Sequence, residues 1–263
     1  MIGAIAGDMM GARFEVFPTK RTDFTLIPST ATFTDDTILT VAIADAILTG
    51  MDYDVALKEY ARKYYYLPYG KAFKRWSRSW ENIPYGSCGN GSAMRVSPVG
   101  FAFNSVDEVL YQAKKSAEVT HNHPEGIKGA QAVALAIQMA RIGLSKAEIR
   151  DEIASRFEYD LYRTIAEIRP GYKYNTTCQG SVPESIIAFL DSNSYEEAII
   201  NAISLGGDAD TMACIAGGIA EAFYGGVPGK IKDKVAESLD SDLMEVVDNF
   251  YATQLHVTKG EWL

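Results

Sequence analysis

The sequence predicts an all-α fold, one compact domain of many helices that extends over residues 1–263. Apolar residues recur at spacings of three and four, hydroxyl residues precede several of these segments, and glycines separate them, as expected for amphipathic helices. No segment alternates convincingly between apolar and polar residues, and the nearest candidate strand, residues 22–34, is interrupted by Pro28. Because 47% of the residues are hydrophobic, the chain can form a sizeable single core.

The individual helices follow from local patterns along the chain. Residues 34–50 form the first clear helix, because Ile38 and Val41 begin an apolar face and Gly50 ends the segment. A later helix begins at Pro124, since the first turn does not use the amide hydrogen that proline lacks, and it extends to about Arg141. Three more helices begin with a serine and a glutamate at the spacing of a capping box: Ser105–Glu108, Ser145–Glu148 and Ser194–Glu197.

The charge balance limits the ligands that the protein can bind. The formal net charge is −9 and the pI is about 4.9, which argues against a groove that follows the phosphates of an extended nucleic acid. A small anionic ligand remains possible, because a metal ion, a few arginines or a helix N-terminus can hold it locally.

The cysteines and the N-terminal residues indicate the cellular compartment of the protein. Cys88, Cys178 and Cys214 are widely spaced and form no CxxC pair, which indicates reduced thiols rather than a disulfide framework. The first residues lack the basic region of a signal peptide, and the most apolar helical stretch, residues 133–140, is far too short to span a membrane. We therefore expect a cytoplasmic protein with no membrane association. We also expect it to be a monomer.

Two acidic clusters each precede an apolar helix. The first is the run Thr34, Asp35, Asp36 and Thr37, and the second is the run from Gly206 to Thr211, which contains Asp208 and Asp210. Helix capping explains one such cluster, since threonine and aspartate accept hydrogen bonds from free amides. Two clusters are harder to explain by capping alone, because carboxylates within each cluster repel one another and a cation shared by both clusters would relieve that repulsion. Helix capping and a shared cation both remain open.

The residue types in these clusters indicate which metal would bind. Carboxylates and hydroxyls are hard oxygen ligands, which suit magnesium or manganese better than zinc. His121 and His123 are the only closely spaced histidines, and no third soft ligand is near them in the sequence. We expect them to line a pocket or to bond the turn before the helix at residue 124.

A glycine-rich segment, residues 85–95, lies between the two clusters. Gly86, Gly89 and Gly91 permit positive φ, so that consecutive backbone amides could form a concave nest for an anion. The segment lacks the ending of a P-loop. A tight loop between helices is the alternative interpretation.

Four motifs together resemble those of the ADP-ribosylglycohydrolases. They are TDDT, GNGSAMR, THNHPEG and GGDADT, and their order and approximate spacing agree over residues 1–225. The resemblance implies an orthogonal bundle of helices with a cleft that holds two Mg²⁺ or Mn²⁺ ions. It implies these metal ligands: Glu15, Thr34, Asp35, Asp36, Asp208, Asp210 and Thr211. It also implies a site for the diphosphate of ADP-ribose at these residues: Gly86, Ser87, Cys88, Gly89, Asn90, Gly91 and, beside them, His121.

The same resemblance implies an activity. The protein is expected to be a hydrolase that cleaves the bond between C1 of ADP-ribose and an attached group, with Glu15, Asp35 or Asp36 as the catalytic carboxylate. An ADP-ribosylated protein side chain is the first expectation for the substrate. The alternatives are a nucleic-acid base or a small-molecule conjugate, and a non-catalytic nucleotide-binding or crystallin-like relative.

Overall fold

A computed structural model describes residues 1–257 of the chain, with side chains described through residue 253, and it places fifteen helices there. Within this part no strand forms, and extended residues pair only at an isolated antiparallel bridge between Gly89 and Thr177. The prediction of an all-α fold is confirmed. The predicted domain, residues 1–263, reaches beyond the described residues, and its boundaries stay a prediction.

The helices are short to medium in length and follow one another through brief connections. In chain order they are α1 Ile2–Val16, α2 Asp35–Thr49, α3 Tyr53–Lys63, α4 Lys71–Arg78, α5 Gly91–Met94, α6 Ser97–Ala102, α7 Val106–Glu118, α8 Pro124–Arg141, α9 Lys146–Phe157, α10 Ile165–Ile168, α11 Cys178–Leu190, α12 Tyr195–Ile203, α13 Ala209–Tyr224, α14 Gly229–Ser238 and α15 Ser241–Val257. None of these helices is both long and apolar enough to cross a membrane.

Helix ends agree with the sequence where a single residue determines them. Gly50 ends α2 in the left-handed conformation with φ of 73°, and α8 begins at Pro124 as predicted. Of the three predicted capping boxes, only the one at Ser145 is complete. Ser105 and Ser194 accept their amide hydrogen bonds, but the glutamate half is missing, because Glu108 accepts from Gln112 and Glu197 from Asn193.

The centre of the core is the contact between α1 and α13. Gly3, Gly7 and Gly11 lie along the face of α1 that meets α13, at a distance that leaves no room for a side chain. A Cβ atom added at Gly7 would lie 2.1 Å from the carbonyl oxygen of Ala213. Because the two backbones touch, the acidic residues near α1 and at the start of α13 are held at short range.

We expect that Gly7→Ala destabilises the protein by at least about 2 kcal/mol, because the added methyl meets backbone atoms that cannot move away without separating the helices. Gly229→Ala is the matched control. Its Cβ would meet nothing within 4 Å at the start of α14, so its free energy of unfolding should change by less than about 1 kcal/mol. Urea denaturation of both variants measures the difference, and equal stabilities would contradict the close packing.

Candidate metal centre and substrate pocket

One pocket brings together residues from both ends of the chain. Its volume is about 390 Å³, which lies at the lower end of the roughly 300–1,000 Å³ usual for small-molecule sites. Most of the predicted site residues line it: Glu15, Asp35, Asp36, Ser87, Gly89, Asn90, Gly91, His121, Asp208, Asp210 and Thr211. Three predicted residues do not line its wall: Thr34, Gly86 and Cys88.

The floor of the pocket is an acidic centre. One carboxylate oxygen from each of Glu15, Asp208 and Asp210 lies within 4.8 Å of the other two. Asp35 and Asp36, at the start of α2, line the same pocket. Both acidic clusters of the sequence therefore lie around one small volume.

The carboxylates of this centre hold protons more tightly than usual. Burial is the largest cause, and it raises the pKa of Asp35 to about 7 and the pKa values of Asp8 and Asp208 to about 6. Burial followed by the charge of Asp210 raises the pKa of Asp36 well above its usual value. Burial followed by the charge of Asp208 does the same to the pKa of Asp210. Within the described residues, none of these five carboxylates forms an ion pair with a lysine, an arginine or the N-terminus.

The residues present fit a divalent cation. Asp36 is only 3% exposed, and among the described residues its Oδ2 atom has no hydrogen-bond partner. An unsatisfied buried carboxylate oxygen is costly, and a cation would satisfy it while relieving the repulsion between its neighbours. The ligand atoms available on the floor are carboxylate and hydroxyl oxygens, which match magnesium or manganese.

Helix capping accounts for one member of the clusters and not for the others. The Thr34 hydroxyl accepts a hydrogen bond from the Asp36 amide at 3.3 Å, so Thr34 caps α2. Asp208 occupies the equivalent position before α13 but makes no side-chain cap bond. Its Oδ2 atom instead accepts a hydrogen bond from Asn90 Nδ2 at 2.7 Å. The ligand role assigned to Thr34 stays a prediction.

Asp8 is a central residue that sequence reasoning missed. It is fully buried in α1 and accepts four hydrogen bonds, from the amides of Thr34 and Thr37 at 2.9 and 3.1 Å and from their hydroxyls at 2.8 and 2.5 Å. These bonds fix the start of α2 against α1 and thereby orient Asp35 and Asp36. One signal in the sequence could have identified it. A single aspartate within an apolar helical segment is rarely buried unless it has partners, so Asp8 could have been predicted to bond other segments.

The glycine-rich loop differs from its prediction. Of Gly86, Gly89 and Gly91, only Gly86 adopts a positive φ, at 66°. Gly91 begins α5, and a Cβ atom there would lie 3.1 Å from Nε2 of His121. Close approach to the histidine ring, and not backbone conformation, is therefore the constraint at Gly91.

The predicted nest of consecutive free amides is wrong, because four amides of the loop already donate within the protein. The donors and acceptors are Gly86 N to Asn122 Oδ1, Ser87 N to Thr120 O, Gly89 N to Ser87 Oγ, and Asn90 N to Thr176 O, at 2.8, 3.4, 3.0 and 2.8 Å respectively. These bonds fix the loop as one rigid wall of the pocket. The binding role of the six loop residues stays a prediction.

His121 sits in that wall as a neutral ring. Burial, followed by the charge of Arg95, lowers its pKa well below the usual value. Thr120 Oγ1 lies 2.8 Å from Nδ1 of His121 and accepts a hydrogen bond from Arg95 Nη2 at 2.8 Å. When the Thr120 hydroxyl donates to Nδ1, the ring proton lies on Nε2, the atom that faces Gly91. Arg95 itself is fully buried and was also missed by the sequence analysis.

Comparison with known proteins gives consistent results. A family model described as ADP-ribosylglycohydrolase matches residues 1–259. The chain is 32% identical over 185 residues to ADP-ribosylhydrolase ARH3 of Mus musculus, covering 53% of this chain and 50% of that protein. It is 29% identical over 160 residues to ADP-ribosylarginine hydrolase Tri1 of Pseudomonas putida (strain GB-1), covering 58% and 43%. The chain thus spans about half the length of these curated relatives.

A solved structure supports the same relationship at the level of the fold. It is named "ADP-ribosylglycohydrolase-related protein complex" and superposes with a TM-score of 0.73. The superposition covers 96% of this chain and 97% of that chain at 24% identity. At this identity the likeness shows a shared fold.

We expect the cation-free protein to be more stable at pH 5 than at pH 8. The raised pKa values of the five aspartates mean that the folded state binds more protons than the unfolded state between about pH 4 and pH 7, so stability falls as the pH rises through that range. Burial also lowers the pKa of His121 and of the Met1 amino group, and both act oppositely, but they are two groups against five.

Thermal melting in chelator measures this effect, and the melting temperature should drop by about 5 °C or more from pH 5 to pH 8. Saturating Mg²⁺ or Mn²⁺ should reduce the drop, because a cation favours the ionised carboxylates. A melting temperature that rises with pH in chelator would contradict the crowding of these groups.

Proposed function

The chain belongs to the ADP-ribosylglycohydrolase family, and on that premise we propose that it is a hydrolase that cleaves the glycosidic bond between ADP-ribose and an attached group. The observation that carries the proposal is the meeting of both acidic clusters in one pocket, which the loop wall with His121 also lines. The names of the two curated relatives describe hydrolases of ADP-ribosylated substrates, which supports the same reaction.

We propose a divalent metal site on the floor of the pocket. Glu15, Asp208 and Asp210 would hold one Mg²⁺ or Mn²⁺, on the evidence of their short mutual distances. Asp36, with its unpartnered oxygen, and Asp35 would complete a second position, with Thr34 and Thr211 as further ligands by resemblance. When bound, such cations supply Lewis acidity close to the reacting sugar.

Exposure separates the three carboxylates that could take a proton from the attacking water. Asp36 is buried, whereas Glu15 and Asp35 are partly exposed in the pocket wall. We assign the proton transfer to Glu15 or Asp35 and a holding role to Asp36. Glu15 Oε1 accepts a hydrogen bond from the Tyr174 hydroxyl at 3.1 Å, which orients its carboxylate. A negative carboxylate beside the sugar would also stabilise a transition state with oxocarbenium character.

The loop wall would position the ADP-ribose. Because the amides of Gly86, Ser87, Gly89 and Asn90 are already engaged, the contacts to a diphosphate would come from the side chains of the wall and from the remaining amides. A neutral His121 with its proton on Nε2 would donate a hydrogen bond to the ligand. A rigid wall loses little conformational freedom when a ligand binds, which favours affinity.

We propose a protein side chain as the group from which ADP-ribose is removed. The net charge of −9 disfavours an extended nucleic acid, although it does not oppose a single nucleotide or a small conjugate. Hydrolysis of a nucleic-acid or small-molecule conjugate is the alternative. Release rates from ADP-ribosylated protein, DNA, RNA and nucleosides, measured side by side, test the proposal, and faster release from the nucleic acids would overturn this choice.

We expect Asp36→Asn and Asp210→Asn each to reduce turnover by at least about 100-fold, because each removes a charge from the same metal centre. The double variant should be little worse than either single one, since residues that act as a unit are strongly non-additive. Asp107→Asn is the matched control, because it makes the same chemical change at an exposed position in the first turn of α7.

Steady-state rates at saturating Mg²⁺ measure these effects, with thermal melting as a check on folding. Asparagine caps a helix about as well as aspartate, so a purely capping role predicts near-normal turnover in both variants. That outcome would remove the basis of the proposed function.

We also expect chelation to abolish turnover and Mg²⁺ or Mn²⁺ to restore it more fully than Zn²⁺, because the candidate ligands are hard oxygens. Calorimetric titration of the ions into the chelated protein gives a second reading that does not depend on a substrate. Full activity in a rigorously cation-free sample would be incompatible with a metal-dependent mechanism.

A further inference from the structure

A strongly basic segment interrupts this acidic chain. Residues 62–78 hold six of the 25 lysines and arginines and none of the 34 aspartates and glutamates. The segment includes the end of α3, the whole of α4 and the turn between them. The remainder of the chain is therefore even more acidic than the net charge suggests. Within the segment Lys63 pairs with Asp242, and the other five cations have no carboxylate partner among the described residues.

A second, smaller cavity lies within this segment, between α3 and α4. Its volume is about 120 Å³, and we call it the basic cavity. The residues that line it are Ala61, Arg62, Tyr65, Tyr69, Lys74, Ser77 and Arg78. Three of them are cationic and none is acidic, so the cavity is suited to a single compact anionic group and is too small for a nucleoside.

The cations of the basic cavity are not neutralised within the described part of the protein. None of Arg62, Lys74 and Arg78 forms an ion pair with a carboxylate there. Arg62 Nε donates a hydrogen bond to the carbonyl oxygen of Ser77 at 3.1 Å, which ties α3 to α4 and fixes the guanidinium at the cavity. A guanidinium held in place forms paired hydrogen bonds to a carboxylate or phosphate at a reduced entropic cost.

Exposed aromatic side chains surround the basic cavity. Trp80 is 94% exposed, and Tyr65 and Tyr66 are 64% and 65% exposed. The centre of the Arg62 guanidinium lies 5.9 Å from the centroid of the Trp80 ring. Large exposed aromatic residues beside arginine are the residue types that contribute most to binding energy at protein interfaces.

Helix α4 separates the basic cavity from the substrate pocket. Lys71 and Phe73 line the substrate pocket, whereas Lys74 and Arg78 line the basic cavity. The two cavities are thus lined by residues within one or two turns of the same helix. A chain attached to a ligand in the pocket and passing Lys71 would reach the basic cavity within a few residues.

We propose that the basic cavity binds an anionic side chain, a carboxylate or a phosphate monoester, of the polypeptide that carries the ADP-ribose. The proposal rests on the proposed function, and it deepens that function by naming a feature of the substrate. The acceptor protein presents an acidic or phosphorylated residue close to the modified one. Tyr65, Tyr66 and Trp80 contact the neighbouring residues of that peptide.

The shape of the site favours a peptide over a polynucleotide. Binding sites for single-stranded nucleic acid track the backbone along a positively charged groove and contact several phosphates in succession. The basic cavity offers a single small position instead. The strongly acidic remainder of the chain would also repel a long polyanion, whereas a peptide with one anionic residue is repelled far less.

An NMR titration tests the inference with the full chain and three eight-residue peptides, identical except for serine, glutamate or phosphoserine at one position. The probes are the indole resonance of Trp80, assigned with Trp80→Phe, and the backbone amides of α4. We expect saturable shifts with the phosphoserine and glutamate peptides, at least about tenfold weaker binding of the serine peptide, and weaker binding at higher salt.

Substitution of one cation should have the matching effect. Arg78→Gln should weaken binding of the phosphoserine peptide about tenfold, while Lys230→Gln, at an exposed position of α14, should leave it unchanged. Equal affinity for the three peptides, unperturbed α4 resonances, or tighter binding of an eight-residue oligothymidylate would overturn the proposal. The titration uses neither ADP-ribose nor a divalent metal ion, so loss of hydrolysis in an activity assay would contradict the proposed function without altering this result.

Discussion

The backbones of α1 and α13 lie in direct contact because glycine occupies the positions of α1 that meet the carbonyls of α13. This contact determines where the chemistry of the protein can be. It places Asp8 and Glu15, on one helix, against Asp208 and Asp210, at the start of the other. Asp8 then holds the first turn of α2 through hydrogen bonds. These bonds, rather than helix packing, position Asp35 and Asp36.

The acidic centre illustrates a conflict between stability and function. Burial of several carboxylates around one volume destabilises the folded state near neutral pH, since each ionised group loses solvation and repels the others. An apolar floor would be more stable. A site that must hold a cation requires this destabilising arrangement in the absence of the ion, and the large apolar core around α1 and α13 compensates for it.

Sequence patterns predicted the parts of the structure that depend on local physics. The bounds of α8, the glycine that ends α2 and the all-α fold follow from residues that act within one or two helical turns. The joint location of both acidic clusters was implied by the resemblance to the family, whereas the residues alone left helix capping as an alternative. The role of Asp8 was missed, because its four donors lie 26 and 29 positions away. Three of the four engaged amides of the glycine loop were misjudged for the same reason, since their acceptors on Asn122, Thr120 and Thr176 belong to other segments. The fourth, from Gly89 to the Ser87 hydroxyl, is local.

Helix α4 has a further consequence, because it forms a wall of both the substrate pocket and the basic cavity. Two sites that share one structural element are thermodynamically coupled whenever a ligand in either of them shifts that element. If a ligand in the basic cavity changes the affinity of the substrate pocket for ADP-ribose by some factor, ADP-ribose must change the affinity of the basic cavity for its ligand by the same factor. Binding of the peptide around a modified residue would thus change the substrate pocket itself. A preferred peptide would raise the affinity for the attached ADP-ribose as well as add its own contacts.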